Sequence, residues 1–131
     1  MRYLDEKYKI YIIGNGVEIF KKKCPKINFI NMKIKRRPSL FMDFLALVKL
    51  IYLFIEIKPD IVHSIMPKSG FLASIAGFIT RVPIRIHTFT GQVWATQTGL
   101  TKKLYLKLDR LINNLNTICL TDSYSQSTFL K

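Results

Sequence analysis

A histidine followed by a polar loop is the part of this sequence best suited to chemistry. His87 ends the short apolar run Ile84–Ile86, and the loop after it holds threonines, glutamines, glycines and the only tryptophan, Trp94. In open α/β sheets, ligands bind outside the carboxyl ends of the strands. An imidazole near neutral pH can donate or accept a hydrogen bond. The pattern therefore predicts a ligand site at His87, although an ordinary strand-end histidine would give the same residues.

Two other junctions between a strand and a helix carry suitable side chains. His63 ends the run Asp60–His63, and a helix start follows it, whose free N–H groups and dipole suit a phosphate or a sugar hydroxyl. His63 can equally support the sheet alone. A third junction follows the last apolar run, where an acid and a hydroxyl can bind a ligand or simply cap a helix. The polar residues at these two junctions are Lys68, Ser69 and Gly70, and then Asp122 and Ser123.

The elements that must position these residues alternate between strand and helix. Strand–helix–strand units of this length require a parallel sheet with right-handed connections. We therefore predict an α/β fold, a doubly wound (Rossmann-like) parallel sheet, in one domain over residues 1–131. The predicted strands are Lys9–Gly14, Ile27–Met32, Asp60–His63, Ile84–Thr88 and Thr117–Thr121, and the predicted helices are Leu40–Ile57, Ser69–Thr80 and Gly99–Leu115, with a further helix starting at Tyr124.

The helix predicted at Leu40–Ile57 is capped by Ser39, is ended by Pro59 and is the most apolar part of the chain. A transmembrane span needs about 20 predominantly apolar residues, and a charge near its middle, such as Lys49, costs about 2.5 to 3.5 kcal/mol on insertion scales. We therefore predict a heavily buried helix on the sheet, with Lys49 and Glu56 as its polar stripe. Attachment to a bilayer surface through its aromatic residues stays open. These residues are Phe41, Phe44 and Phe54.

The composition limits the partners. The net charge of +13 favours anionic partners, among them an anionic membrane surface or a diphosphate. No helix-turn-helix, zinc-finger or stacking pattern accompanies the charge, so nucleic acid is not expected as a partner.

The two cysteines, Cys24 and Cys119, form no CxxC motif, and the first residues of the sequence are charged. These features predict a cytoplasmic protein with reduced cysteines, without a signal peptide and without a metal site.

Three segments, in this order and spacing, resemble a known family: PDIVHSIMPKSGFLASIAG, RVPIRIHTFTGQVWATQTG and TICLTDSYSQSTFL. The chain resembles the N-terminal half of family-4 glycosyltransferases of the GT-B fold, which assemble bacterial capsule, O-antigen and other glycans. The resemblance implies a retaining, metal-independent transfer from a nucleotide sugar. It also implies that this domain binds the acceptor and that a C-terminal domain binds the sugar nucleotide.

The resemblance also assigns roles to residues. It places His87, as the catalytic residue, opposite the transferred sugar. An imidazole buried beneath packed side chains, with no opening beside it, would argue against that role. The substrate-binding residues implied are Thr88, Thr90, Gly91 and Gln92 in the loop, and His63, Lys68, Ser69, Gly70, Asp122 and Ser123 at the other junctions.

Two parts of the family pattern have no counterpart in these residues: the first strand with its glycine-bearing loop, and the C-terminal domain with its paired glutamates. In the strand order of such sheets the first strand lies in the middle. We therefore expect an unpaired edge on each of the strands at Lys9–Gly14 and Asp60–His63, which the two halves of the sheet could close or another chain could fill.

These departures limit the expected activity. We expect the chain to bind an acceptor, such as a polyprenyl-diphosphate-linked sugar, at the inner face of the cytoplasmic membrane, and to be inactive without a second chain or domain. The alternative is a non-catalytic remnant or a membrane-peripheral binding module. The donor sugar, the linkage and the oligomeric state stay open.

Overall fold

The computed structural model describes residues 7–34, 39–90 and 98–121. The chain divides into two compact units, residues 1–46 and 47–131. Its elements run in this order: β1 (Tyr11–Gly14), a 3-10 helix (Val17–Phe20), β2 (Asn28–Asn31), α1 (Leu40–Ile57), β3 (Ile61–Ser64), α2 (Pro67–Ile79), β4 (Ile84–Phe89), α3 (Gly99–Leu115) and β5 (Ile118–Thr121). Helix α1 begins in the first unit and ends in the second. The helix predicted from Tyr124 lies outside the described residues.

The first unit contains a parallel pair of strands. Tyr11 of β1 lies beside Asn28 of β2, and Gly14 lies beside Asn31. The predicted turn after β1 contains Gly16 at φ 68°, a conformation that glycine adopts without strain. The Gly16 N–H donates to Asn31 Oδ1 at 3.2 Å, which ties the turn to β2. The 3-10 helix after this turn was not predicted from the sequence.

The second unit contains a parallel sheet in the order β3-β4-β5. His87 of β4 lies beside Ser64 of β3 on one side and Cys119 of β5 on the other. The parallel α/β architecture predicted from the sequence is confirmed. Among the described residues, β1 pairs only with β2, and β3 pairs only with β4 on one side. Each therefore has an unpaired edge, as the family pattern led us to expect.

The two faces of the β3-β4-β5 sheet differ in exposure. Arg85 and His87 point towards α2, where they contact Gly77 and Gly70 respectively. Alternate residues of a strand point to opposite faces, and on the opposite face Ile86 and Thr88 are half-buried whereas the other side chains of the three strands are exposed. The exposed apolar residues of that face are Ile61, Ile84, Ile118 and Leu120. The prediction that the strand at residues 60–63 is buried is therefore wrong for Ile61 and His63.

Helix α2 begins two residues before the predicted Ser69, at Pro67. Proline suits the first helical position, since its fixed φ is already helical and its missing N–H would have no partner there. The small residues of α2 let the helix approach β4 closely: a Cβ placed on Gly77 would lie 3.0 Å from Arg85 Cδ.

Helix α3 has the predicted bounds, and its leucine spacing predicts an apolar face of Leu104, Leu108, Leu111 and Leu115. Leu108 and Leu115 are half-buried, whereas Leu104 and Leu111 are exposed and the neighbouring Ile112 is buried. The buried face is therefore shifted to one side of the predicted one. The end of α3 is held by polar contacts. Asn116 Nδ2 donates to Ser74 Oγ and to the Ile112 carbonyl, each at 2.7 Å. A second contact runs from Arg85 Nε to the Leu115 carbonyl at 2.7 Å. These bonds join α2, α3 and β4.

Helix α1 also has the predicted bounds, but it is not heavily buried. Ala46, Leu50 and Phe54 are buried, whereas Phe41 is 72% and Phe44 62% exposed. Ser39 directly precedes the helix, and its N–H donates to Asp43 Oδ2 at 3.1 Å, which occupies one donor at the helix start. Within residues 7–34, 39–90 and 98–121, no helix is both long enough and apolar enough to cross a bilayer.

Candidate functional site

The candidate site lies at the carboxyl ends of β3 and β4, beside the start of α2. Ser64 of β3 is in register with His87 of β4, and His63 is in register with Ile86. Because neighbouring residues of a strand point to opposite faces, His63 and Thr88 share one face of the sheet, whereas Ser64 and His87 share the other. The two histidines of the sequence therefore lie on opposite faces of the same sheet edge.

The exposed part of the site is a contact between His63 and Thr88. His63 Nε2 and Thr88 Oγ1 lie 2.8 Å apart. A hydroxyl can donate to an unprotonated Nε2 or accept from a protonated one, and either arrangement leaves further hydrogen-bonding capacity on both groups. His63 is exposed and Thr88 is half-buried. This pair can therefore present a donor and an acceptor to a hydroxyl-rich ligand.

The buried part of the site is His87, which is only 1% exposed. Its Nδ1 lies 2.8 Å from Ser64 Oγ, and its ring packs edge-on against Phe89 with 4.5 Å between the ring centroids. Burial, and to a smaller extent the charge of His63, lowers the pKa of His87 to about 4. The imidazole is therefore neutral at neutral pH.

Gly70 of α2 lies directly against the His87 ring. A Cβ at this position would lie 2.2 Å from Cε1 and 2.6 Å from Nδ1 of that imidazole. No side chain fits without movement of the ring, because real Cβ contacts are essentially never this short. Gly70 is itself buried. In this structure it is a packing position against His87, and the substrate contact predicted for it has no open surface to use.

The predicted role of His87 needs an imidazole that a sugar can reach. At 1% exposure the ring does not offer this contact, so the structure gives no support to a His87 that directly faces a sugar. Of the other predicted residues, Thr90 is exposed, and Lys68 and Ser69 are half-buried at the start of α2. Ser69 Oγ donates to the Met66 carbonyl at 3.3 Å. Gly91, Gln92, Trp94, Asp122 and Ser123 lie outside the described residues.

Two residues of the site were not predicted, Ser64 and Phe89. The predicted strands stopped one residue too early, at His63 and Thr88, whereas β3 ends at Ser64 and β4 at Phe89. Alternate residues of a strand share a face, so a strand one residue longer would have placed Phe89 on the same face as His87. Extending the other strand by one residue would have included Ser64, which lies beside His87. In the described part of the chain, no three His, Cys, Asp or Glu side chains are grouped closely enough to share a metal ion.

The parallel strands and the helices that connect them define an α/β protein with a candidate ligand site at the carboxyl ends of β3 and β4. The sequence profile of the family described as "Glycosyl transferase 4-like" matches residues 2–123, and the chain belongs to this family. The chain is also 41% identical over 98 residues to "Capsular polysaccharide biosynthesis glycosyltransferase CapM" of Staphylococcus aureus; the match covers 75% of this chain and 25% of that protein. The chain thus spans about a quarter of the length of this relative.

Proposed function

We propose that this chain is the acceptor-binding part of a retaining glycosyltransferase that acts in the synthesis of a surface polysaccharide or a lipid-linked oligosaccharide. Membership of the glycosyl transferase 4-like family supports a glycosyltransferase role. The similarity to the capsular polysaccharide biosynthesis glycosyltransferase CapM supports polysaccharide synthesis. The sugar would come from a nucleotide sugar bound by a second domain or a second chain.

The hydrogen bond between His63 and Thr88 carries this proposal. It lies at the sheet edge where ligands of parallel α/β proteins bind, and it can offer a donor and an acceptor to adjacent sugar hydroxyls. Retaining transfer passes through a state with oxocarbenium character, which fixed dipoles can stabilise. Lys68, half-buried at the start of α2, would add positive charge for a diphosphate-linked acceptor.

His87 acts in this proposal as a positioning residue rather than by contact with the sugar. Its neutral imidazole holds Ser64 Oγ and fills the space between β4 and Gly70, directly beneath the edge that carries His63 and Thr88. In a form of the protein that transfers sugar, His87→Ala should slow the reaction by more than threefold. A rate within about threefold of the wild type, a difference under ~0.7 kcal/mol, would contradict any role in the reaction.

A binding experiment on the 131-residue chain tests the acceptor site. The probe is a farnesyl-diphosphate-linked N-acetylglucosamine, a short-chain analogue of a lipid-linked sugar, and the readout is the change in amide NMR shifts. We expect the largest changes at His63 and Thr88, and weaker binding of the probe by Thr88→Val. Thr80→Val is the matched control, because it removes a hydroxyl that donates to the Ala76 carbonyl at 2.8 Å, at the other end of the sheet.

Two comparisons make the result specific. Farnesyl diphosphate without the sugar should leave the amides of His63 and Thr88 nearly unchanged. A probe that shifts residues elsewhere, or binds equally well to Thr88→Val, would contradict the proposed site. Absence of any binding would favour the alternative, a non-catalytic remnant or a binding module.

Inactivity of the chain by itself is a separate part of the proposal. We expect no transfer from UDP-N-acetylglucosamine to the farnesyl-linked probe by the purified 131-residue chain. Transfer by a homogeneous sample, proportional to the amount of chain added, would overturn this expectation. It would leave the assignment of the acceptor site to the binding experiment above.

A further inference from the structure

Helix α1 has two apolar faces, and only one of them is buried. Ala46, Leu50 and Phe54 follow one another at four-residue spacing and are all buried, which is the face that an ordinary surface helix packs against its own domain. The other side of the helix carries a second set of large apolar side chains, all exposed. This apolar face of α1 consists of Leu40, Phe41, Phe44, Leu45, Val48, Tyr52 and Ile55.

The spacing of the exposed set shows that it is one continuous surface. With 3.6 residues per turn, positions 41, 44, 48, 52 and 55 fall in one row along the helix, on the side opposite Leu50. The groups that bury Leu50 lie on the other side of the helix and therefore cannot also cover this row. The exposed fractions are large, 65% at Tyr52 and 58% at Ile55. A helix of 18 residues is about 27 Å long, so the row is a substantial unpartnered surface.

The positive charge of the chain indicates which kind of partner covers the apolar face of α1. The segment that precedes α1 carries eight Lys and Arg between residues 21 and 37, with no acid between Glu18 and Asp43. Lys21, Lys22 and Lys23 are all exposed. A second copy of a chain with net charge +13 would bring like charges together. An anionic bilayer instead attracts basic segments, at about 1 kcal/mol for each Lys or Arg near the surface, and accepts an apolar helix face at its headgroup level.

We propose that the apolar face of α1 lies in the surface of an anionic lipid bilayer, with the helix axis parallel to the membrane. In this arrangement α1 lies on the bilayer surface and does not cross the bilayer, which agrees with the charged residues Asp43, Lys49 and Glu56 in its sequence. Phe41 and Phe44 enter the bilayer surface, whereas Phe54 packs inside the protein. The proposal goes beyond the proposed transfer reaction and does not depend on it.

Flotation of the 131-residue chain with lipid vesicles tests this proposal. We expect binding to vesicles of mixed phosphatidylglycerol and phosphatidylcholine, and binding at least about tenfold weaker to phosphatidylcholine alone. The variant Phe41→Ser, Phe44→Ser should lose at least about tenfold in partitioning to the mixed vesicles, because it removes two large apolar side chains from the contact. The matched control is Leu100→Ser, Leu104→Ser, which removes apolar side chains from α3 that are 84% and 58% exposed.

Each outcome decides the question. The control should bind within about twofold of the wild type, and circular dichroism should show that both variants keep their helices. Equal binding by the Phe41 and Phe44 variant, or no binding by the wild type, would overturn the proposal. So would a concentration-dependent dimer in sedimentation velocity that this variant abolishes, since the face would then belong to a second copy. Binding of the soluble farnesyl-linked probe should be unchanged in the variant, which separates this proposal from the acceptor site.

Discussion

The substitution Gly70→Ala has two opposite effects on the stability of the fold, a gain in helix propensity and a steric clash, and the structure shows which is larger. Alanine in place of glycine in a helix ordinarily stabilises it by up to about 1 kcal/mol. At this position, however, the new Cβ would lie 2.2 Å from His87 Cε1. The ring is 1% exposed and is held by Ser64 at 2.8 Å, so it cannot turn away into solvent.

The magnitude follows from the cost of moving that ring. Overpacking a core ordinarily costs about 1 to 3 kcal/mol, and a broken hydrogen bond between Ser64 and His87 would cost about 1 kcal/mol more. After the gain in helix propensity, we expect Gly70→Ala to lower the free energy of unfolding by about 1 to 3 kcal/mol. Urea unfolding followed by circular dichroism at 222 nm measures this difference.

Gly77→Ala is the matched control, because it lies in the same helix and its Cβ would lie 3.0 Å from Arg85 Cδ. The Arg85 side chain is held by its hydrogen bond to the Leu115 carbonyl, but it has to give by only a few tenths of an ångström. This small cost opposes the gain in helix propensity, so we expect a smaller loss of stability than for Gly70→Ala. In a His87→Ala background the clash at Gly70 has no partner, and Gly70→Ala should become neutral or stabilising. A Gly70→Ala chain as stable as the wild type, or one equally destabilised with and without His87, would refute the reasoning.

Three further predictions follow from the contacts of the second unit. Since the pKa of His87 falls from 6.5 to about 4 on folding, only the unfolded chain binds this proton between those values; stability should therefore drop by at most about 3 kcal/mol as the pH falls through that window. Urea unfolding should show a smaller drop for His87→Asn, and an identical pH profile would contradict the assignment. Asn116→Ala should cost about 1 to 3 kcal/mol, because it leaves the buried Ser74 Oγ without the donor of this contact, whereas the Ile112 carbonyl keeps the backbone N–H of residue 116. Asn114→Ala, at an exposed position, should cost under about 0.5 kcal/mol, and equal losses would be inconsistent with the network. Burial raises the pKa of the Cys119 thiol, so iodoacetamide should modify it more slowly in the folded chain at pH 8 than in urea, and equal rates measured by mass spectrometry would contradict this.

The sequence was sufficient for the elements whose signals are local. The flanking Ser39 and Pro59 predicted the bounds of α1, and the β-branched runs before and after α2 predicted β3 and β4 to within about one residue. The family resemblance rested on motif order, and the match over residues 2–123 confirms it.

The sequence could not determine which face of each element is buried. In α1 nearly every position is apolar, so periodicity gave no preference, and the exposed side with Phe41 and Tyr52 became visible only in the structure. In α3 the leucines mark a wide apolar arc, and tertiary packing placed Ile112 rather than Leu104 inside it. When a helix is apolar on all sides, the elements that surround it determine which face is buried, and the local sequence pattern carries no information about these neighbours.

The environments of the two histidines follow from their strand registers. Side chains alternate along a strand, so the one-residue offset between His63 beside Ile86 and Ser64 beside His87 places one imidazole outside and the other inside. The inner ring loses its water and can hold a proton only below about pH 4, which removes it from acid–base exchange with a ligand near neutral pH. Of the two histidines at this edge, only His63 can therefore give a hydrogen bond directly to a sugar. His87 is buried beneath the edge, where it contacts Ser64.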